Sequence, residues 1–254
     1  MNPFDLSGRV AIVTGGNGGL GLGMARGLAA AGAAIAIAAR DQTKGHKAAA
    51  ELTVSGFRCR FYPLQASSKA SCTAMVDAVA GDFGRLDILI NNAGTTRRKR
   101  PEQITEDDWR EVLDVNLSGA MFCAQAAYPH MKAAGGGKVV NIGSMYSLFG
   151  APLVAPYGAS KGGLVALTRS LAAAWAADNI QVNAILPGWI NSDLTKSARE
   201  QIEGLNTIVL SRTPAGRWGE PGDLAGAAVF LASAAADFIT GVALPVDGGF
   251  SARG

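Results

Sequence analysis

Short apolar runs alternate with longer segments of mixed polarity along the whole chain. Residues 10–13, 35–38, 58–62, 86–90, 138–142, 181–186 and 242–246 read as strands. Most lack the strict polar/apolar alternation of a half-exposed sheet, so they fit strands covered on both faces. A glycine loop and a helix reaching about residue 31 follow the first run. A more polar helix over about 44–55 follows the second, and helical segments separate most of the rest. Strands that each lead into a helix predict an α/β fold. With right-handed crossovers it becomes a doubly wound parallel sheet of about seven strands with helices on both faces. No linker, repeat or low-complexity tract interrupts the 254 residues. One domain over 1–254 is expected, with its two halves at roughly 1–140 and 141–254.

Composition removes several function classes. Hydrophobic residues make up 48 % of the chain and charged ones 17 %, enough apolar material for a substantial core. The net charge is +3, and the one dense cationic run, Arg97-Arg98-Lys99-Arg100, lacks the wide basic stripe and interleaved aromatics of a nucleic-acid surface. Cys59, Cys72 and Cys123 are scattered, and His46 and His130 are the only histidines. No metal-ligand spacing results, so no metal is expected, and the thiols read as core fillers of a reducing compartment. The N-terminus carries no signal-peptide pattern. The alanine-rich stretch at 28–39 falls short of the ~20 residues a bilayer requires. A cytoplasmic protein that binds neither membrane nor nucleic acid is expected.

The chemistry begins at Thr14-Gly15-Gly16-Asn17-Gly18-Gly19-Leu20-Gly21, directly after the first strand and opening the first helix. Glycines there let backbone turn tightly and approach a pyrophosphate, which sits against free helix N–H groups. This predicts a Rossmann-type dinucleotide site. The end of the second strand reads Ala39-Arg40-Asp41. Arg40 suits a ribose 2′-phosphate and Ala39 adds no repelling charge, so NADP(H) is favoured, with NAD(H) as the alternative. Asp41 fits a cap of the next helix.

Pro156-Tyr157-Gly158-Ala159-Ser160-Lys161 opens a long apolar helix, and the i, i+4 spacing places Tyr157 and Lys161 on one face. A free phenol loses its proton near pH 10. A neighbouring ammonium and the positive end of a helix both favour the phenolate. Ser144 ends the fifth strand, and Asn91-Asn92-Ala93-Gly94 ends the fourth, at the edge where parallel sheets bind ligands.

With these motifs in order, and with Asn116 in Val115-Asn116-Leu117 and Pro187-Gly188 further on, the chain resembles the short-chain dehydrogenase/reductase family over essentially its whole length. The resemblance implies an NAD(P)-dependent oxidoreductase moving hydride between a nicotinamide and a secondary alcohol or ketone. It implies Tyr157 as proton donor and acceptor, Ser144 as hydrogen-bond partner of the substrate oxygen, and Lys161 bound to the nicotinamide ribose. Asn116 would hold a water that links Lys161 to solvent. Gly15, Asn17, Gly18, Gly19, Leu20, Gly21, Asn92, Ala93, Gly94, Pro187 and Gly188 would line the cofactor site, with Ile190 and Ser192 at the carboxamide. Gln65, followed by Ala66, stands where the family usually has an aspartate against the adenine; its amide oxygen still accepts that hydrogen bond.

The stretches Gly94–Arg98, Ile142–Ser147, Pro214–Gly219 and Val246–Gly249 look like the sugar-acid dehydrogenases of that family, the 2-deoxy-gluconate 3-dehydrogenase and gluconate 5-dehydrogenase types. A sugar acid or related polyol is therefore the expected substrate, and a 3-oxoacyl carrier-protein thioester or another ketone is the alternative. A nucleotide-binding regulator without catalysis is a minor one, disfavoured because Asn116, Ser144, Tyr157 and Lys161 are all present. Arg97 or Arg98 is a candidate to pair with a substrate carboxylate, since guanidinium binds it bidentately; the alternative is that they face solvent or a neighbouring subunit. Met145 and Trp189 are further candidate substrate contacts. The stretch at about 191–212 reads as helical, and the resemblance implies that it serves as a substrate lid. The resemblance also implies a homotetramer.

Overall fold

All seven apolar runs form strands in the structure, a computed structural model that describes residues 2–252. The strands are β1 (Val10–Thr14), β2 (Ala34–Ala39), β3 (Cys59–Pro63), β4 (Ile88–Asn91), β5 (Gly137–Ile142), β6 (Ile180–Pro187) and β7 (Ala243–Val246). They form one sheet in the order β3-β2-β1-β4-β5-β6-β7, every pair parallel. The helices are α1 (Gly19–Ala30), α2 (Gln42–Val54), α3 (Lys69–Phe83), α4 (Glu106–Leu113), α5 (Gly119–Ala133), α6 (Ala155–Trp175), α7 (Asp193–Gln201), α8 (Leu205–Arg212) and α9 (Ala225–Ala232).

Alternate residues of each strand point to opposite faces, and in the five inner strands both faces are buried, while β3 and β7 at the edges are partly exposed. Ala11, Val13, Ile35, Ile37, Ile88 and Ile90 meet Met24 and Leu28 of α1, Leu52 of α2 and Leu231 of α9. Val10, Ile12, Ala36, Leu89, Val139 and Val182 meet Val76 and Val79 of α3, Met131 of α5 and Leu171 of α6. Each such Leu, Ile or Val side chain contributes ~1.5–3 kcal/mol by leaving water. This two-sided burial explains why the strands read as continuous apolar runs.

Strand order reverses between β1 and β4, so the connections leaving them diverge and open a crevice at their carboxyl ends. The same edge carries the ends of β5 and β6. Helix caps follow the sequence closely. Asp41 accepts from Lys44 N at 2.9 Å and caps α2. Ser68, Thr105 and Ser192 cap α3, α4 and α7 with their side chains. Gly18 precedes α1 with no side-chain cap, so the first N–H groups of that helix face the crevice.

Candidate active site

A groove of about 350 Å³ runs across the crevice, lined by Gly15, Asn17, Gly18, Gly19 and Leu20, by Asn92, Ala93 and Gly94, and by Pro187, Gly188, Ile190 and Ser192. Gly15 has φ +64°, and a Cβ there would stand 2.9 Å from Asn92 Nδ2. Gly21 does not line the groove. It lets α1 close on the loop, since a Cβ at Gly21 would overlap the Gly15 carbonyl. Asn92 donates through Nδ2 to Thr14 O at 2.9 Å and to Gly15 O at 3.2 Å. The buried Thr14 hydroxyl accepts from Asn92 N at 2.9 Å and from Ala93 N at 3.0 Å. The two strand ends are thus laced together, and the glycine loop is held open as a cradle of bare backbone. An uncapped helix end behind Cβ-free backbone fits a dinucleotide pyrophosphate.

At the far end of the groove the expected adenine contacts separate. Arg40 and Gln65, both exposed, line a neighbouring cavity with Leu64 at the ends of β2 and β3. Gln65 Nε2 donates to Ser67 Oγ at 2.9 Å. Ala66 lines neither cavity; its carbonyl accepts the Cys72 thiol at 3.4 Å and approaches Gly119. Lys44 of α2 also lines the groove, a position the strand-end pattern gave no reason to select.

At the other end the four expected catalytic side chains converge. Ser144 follows β5 and lies beside Tyr157, and both line the groove. Tyr157 lies in the first turn of α6, after Pro156. The residue is half-buried and lines both the groove and the cavity beyond it. Burial pushes its hydroxyl above the ordinary value, while Ser144 and Arg98 draw it back. Lys161 Nζ lies 5.5 Å from the centre of the Tyr157 ring and donates to Ile142 O at 2.7 Å. Burial brings its pKa down to about 8. Desolvation dominates the shift of the Tyr157 hydroxyl.

Asn116 sits in a π-helical turn, Asp114–Ser118, between α4 and α5. Its Oδ1 accepts from Thr95 N at 2.8 Å, and its Nδ2 donates to Thr95 O and to Ser160 Oγ, each at 3.0 Å. Ser160 Oγ in turn donates to Tyr157 O at 2.7 Å. Asn116 thereby ties the segment after β4 to the first turns of α6, which carry Tyr157 and Lys161. A Cβ at Gly94 would lie 3.4 Å from Asn116 Oδ1 and 3.8 Å from Lys161 Nζ, so the three residues share one corner.

A second cavity of about 390 Å³ meets the groove at Ser144, Tyr157, Pro187, Gly188 and Thr195. Met145 and Trp189 line it as expected. Arg97 does not. Its guanidinium pairs with Glu111 and lies 3.7 Å from Asp108, both on α4. Lys99 also binds Asp108, at 2.6 Å, and Arg100 pairs with Glu102. Arg98, half-buried, turns the other way and lines the cavity. Tyr146, Arg212 and Phe250 line it too, although no sequence motif marked them. Tyr146 stands edge-on to Tyr157 and to Trp189, each at 6.2 Å between ring centres. Among the described residues, no cluster of three His, Cys, Asp or Glu side chains is placed to hold a metal. No described helix is long and apolar enough to cross a membrane.

The family model described as enoyl-(acyl carrier protein) reductase matches residues 15–251. The 2-dehydro-3-deoxy-D-gluconate 5-dehydrogenase of Escherichia coli K12 is 42 % identical, with 100 % of this chain and 99 % of the relative covered. The gluconate 5-dehydrogenase of Gluconobacter oxydans is 37 % identical, over 98 % of this chain and 96 % of the relative. A crystal structure of a gluconate 5-dehydrogenase from Burkholderia cenocepacia in complex with NADP and tartrate superposes with a TM-score of 0.95 at 41 % identity, covering 100 % of this chain and 99 % of that one. The chain belongs to the short-chain dehydrogenase/reductase family and is an oxidoreductase acting on CH–OH groups.

Proposed function

We propose that this protein interconverts a secondary hydroxyl and a keto group on a sugar acid, using NADP(H). The observation that carries this reading is the junction at Ser144 and Tyr157, where a dinucleotide groove meets a cavity bearing the Arg98 guanidinium. When bound, the nicotinamide supplies a hydride acceptor or donor, and its positive charge in the oxidised form favours a nearby phenolate. In the oxidation direction Ser144 Oγ hydrogen-bonds the substrate oxygen while Tyr157 Oη takes the hydroxyl proton. The carbinol carbon loses hydride, and the ketone and one proton are released. Lys161 orients the ribose beside Tyr157. Asn116 has its side chain committed to Thr95 and Ser160, so it holds the Lys161 corner in shape, and a water link to solvent would run through backbone of the π-turn. Asn92 acts by fixing the glycine cradle, and Ile190 and Ser192 border the carboxamide end. Arg40 supplies the charge for a 2′-phosphate. Gluconate-type relatives and the NADP-bound neighbour support the substrate class and the cofactor. We also infer one catalytic domain that assembles as a homotetramer in the cytoplasm, for which light scattering in solution should give a mass of about four chains.

Turnover followed at 340 nm decides the central reading. NADP(H) with gluconate, 5-keto-gluconate or 2-dehydro-3-deoxy-gluconate should outpace acetoacetyl thioesters and neutral polyols in kcat/KM. Tyr157→Phe should cost about 10²–10⁴-fold in that ratio. A preference for the thioester would overturn the sugar-acid assignment.

A further inference from the structure

Arg212 is the last residue of α8, in the stretch that links β6 to the Trp218 segment. Its guanidinium lies 4.4 Å from the ring centre of Phe250, beyond β7, and 5.3 Å from that of Phe149, beyond β5. Stacking on aromatic rings holds the plane of a guanidinium while leaving its N–H edges available. The side chain is exposed at the cavity and makes no ion pair with a carboxylate among the described residues. The cavity lining holds Arg212 and Arg98, and no Asp or Glu among the described residues. Burial pushes the Tyr146 hydroxyl above its ordinary value, and Arg98 and Arg212 both draw it back, so both cations lie within electrostatic reach of that one ring.

We infer that Arg212 is a specificity-determining residue that, together with Arg98, selects carboxylate-bearing substrates by binding the carboxylate at the cavity. The inference rests on the sugar-acid reading. It adds a recognition group from the 205–212 helix to the one from the strand-end segment. Recognition of the acid then depends on that helix being seated, with the Phe149 and Phe250 rings as the platform that orients its guanidinium. Neutral polyols would bind without this contact.

The test compares wild type with Arg212→Gln and Arg212→Lys. Arg212→Gln should raise KM for a sugar acid and the inhibition constant of tartrate about tenfold or more. The effect should fall on KM rather than kcat, with the NADP dissociation constant and Tm within error of wild type. Arg212→Lys should recover part of the loss, because charge remains and the bidentate fork does not. Raising the salt concentration should weaken tartrate binding to wild type more than to Arg212→Gln. Equal tartrate affinity in wild type and Arg212→Gln would overturn the inference, as would a loss confined to kcat, NADP affinity or Tm, since those mark a structural role. If wild type turns over no sugar acid, the proposed function fails by that result alone. Calorimetric titration of tartrate into the NADP-loaded wild type and Arg212→Gln then still decides the role of Arg212.

Discussion

Lys161 is an ammonium held at 4 % exposure with one carbonyl partner, Ile142 O. Desolvation opposes its charge and brings its pKa to about 8, against 10.5 for an ordinary lysine. The consequence for stability has a definite sign. Below about pH 8 both folded and unfolded chains hold the proton, and the folded state carries the full penalty of a buried cation. Between about 8 and 10.5 the unfolded chain still binds a proton that the folded one has released, so stability contributed at this site rises with pH. Lys161→Met removes the charge and should lower kcat by about two orders of magnitude or more. The Tm of wild type relative to Lys161→Met should climb between pH 8 and 10.5 and stay flat between pH 6 and 7.5. A gap that moves the other way over the upper range would show that the ammonium is not held low. The residue therefore serves the site at a cost to the fold.

At the scale of elements, the π-turn between α4 and α5 connects three pieces of chain that the sequence separates widely. Asn116 on that turn satisfies both backbone groups of Thr95 and reaches Ser160, whose hydroxyl bonds the Tyr157 carbonyl. Asn116→Ala leaves the half-buried Thr95 N–H and C=O without their side-chain partner, while Ser160 Oγ keeps Tyr157 O, and costs ~1–3 kcal/mol. For a chain of this size that lowers Tm by roughly 2–12 °C. The Thr95 segment should loosen and kcat should fall with it, measurable by melting and steady-state rates on the same preparation. An unchanged Tm with lost activity would instead assign Asn116 to the proton path alone. The strands and the Tyr157/Lys161 pair were legible in the sequence because their signals are local: two-sided burial makes continuous apolar runs, and Tyr157 and Lys161 sit one helical turn apart, whereas Asn116 stood out only through the resemblance to the family. The choice between Arg97 and Arg98 was not legible. Successive side chains on extended chain point to opposite sides, so Arg97 and Lys99 reach Asp108 on α4 while Arg98, between them, faces the cavity. Which side was which depended on where α4 packed. Arg212 and Phe250 were hidden for a related reason. They are 38 positions apart, and only the return of the chain through β7 stacks one on the other.

At the scale of the whole molecule, the order reversal between β1 and β4 lets one bound dinucleotide touch the ends of four strands. Gly15 follows β1, Asn92 follows β4, Ser144 follows β5 and Gly188 follows β6, and all four line the same groove. A ligand that binds only this assembled edge draws the folding equilibrium toward the native state by RT ln(1 + [L]/Kd), ~2.7 kcal/mol at a hundredfold excess over Kd. That corresponds to a rise in Tm of roughly 5–11 °C for a chain this long. The same arithmetic makes melting a cofactor-choice assay that needs no substrate. Arg40 ends the β2 edge beside Gln65, and its charge would meet the 2′-phosphate that NADP has and NAD lacks. A charge-assisted contact of this kind is worth ~1.5–3 kcal/mol, or about ten- to a hundredfold in Kd. At equal concentration NADP should therefore raise the Tm of wild type several degrees further than NAD. Arg40→Ala should bring the NADP shift down to the NAD shift while leaving the NAD shift where it was. Equal shifts for the two cofactors in wild type would remove Arg40 from cofactor selection, whereas an NADP excess that survives Arg40→Ala would leave the phosphate to Lys44, which lines the groove together with the glycine loop.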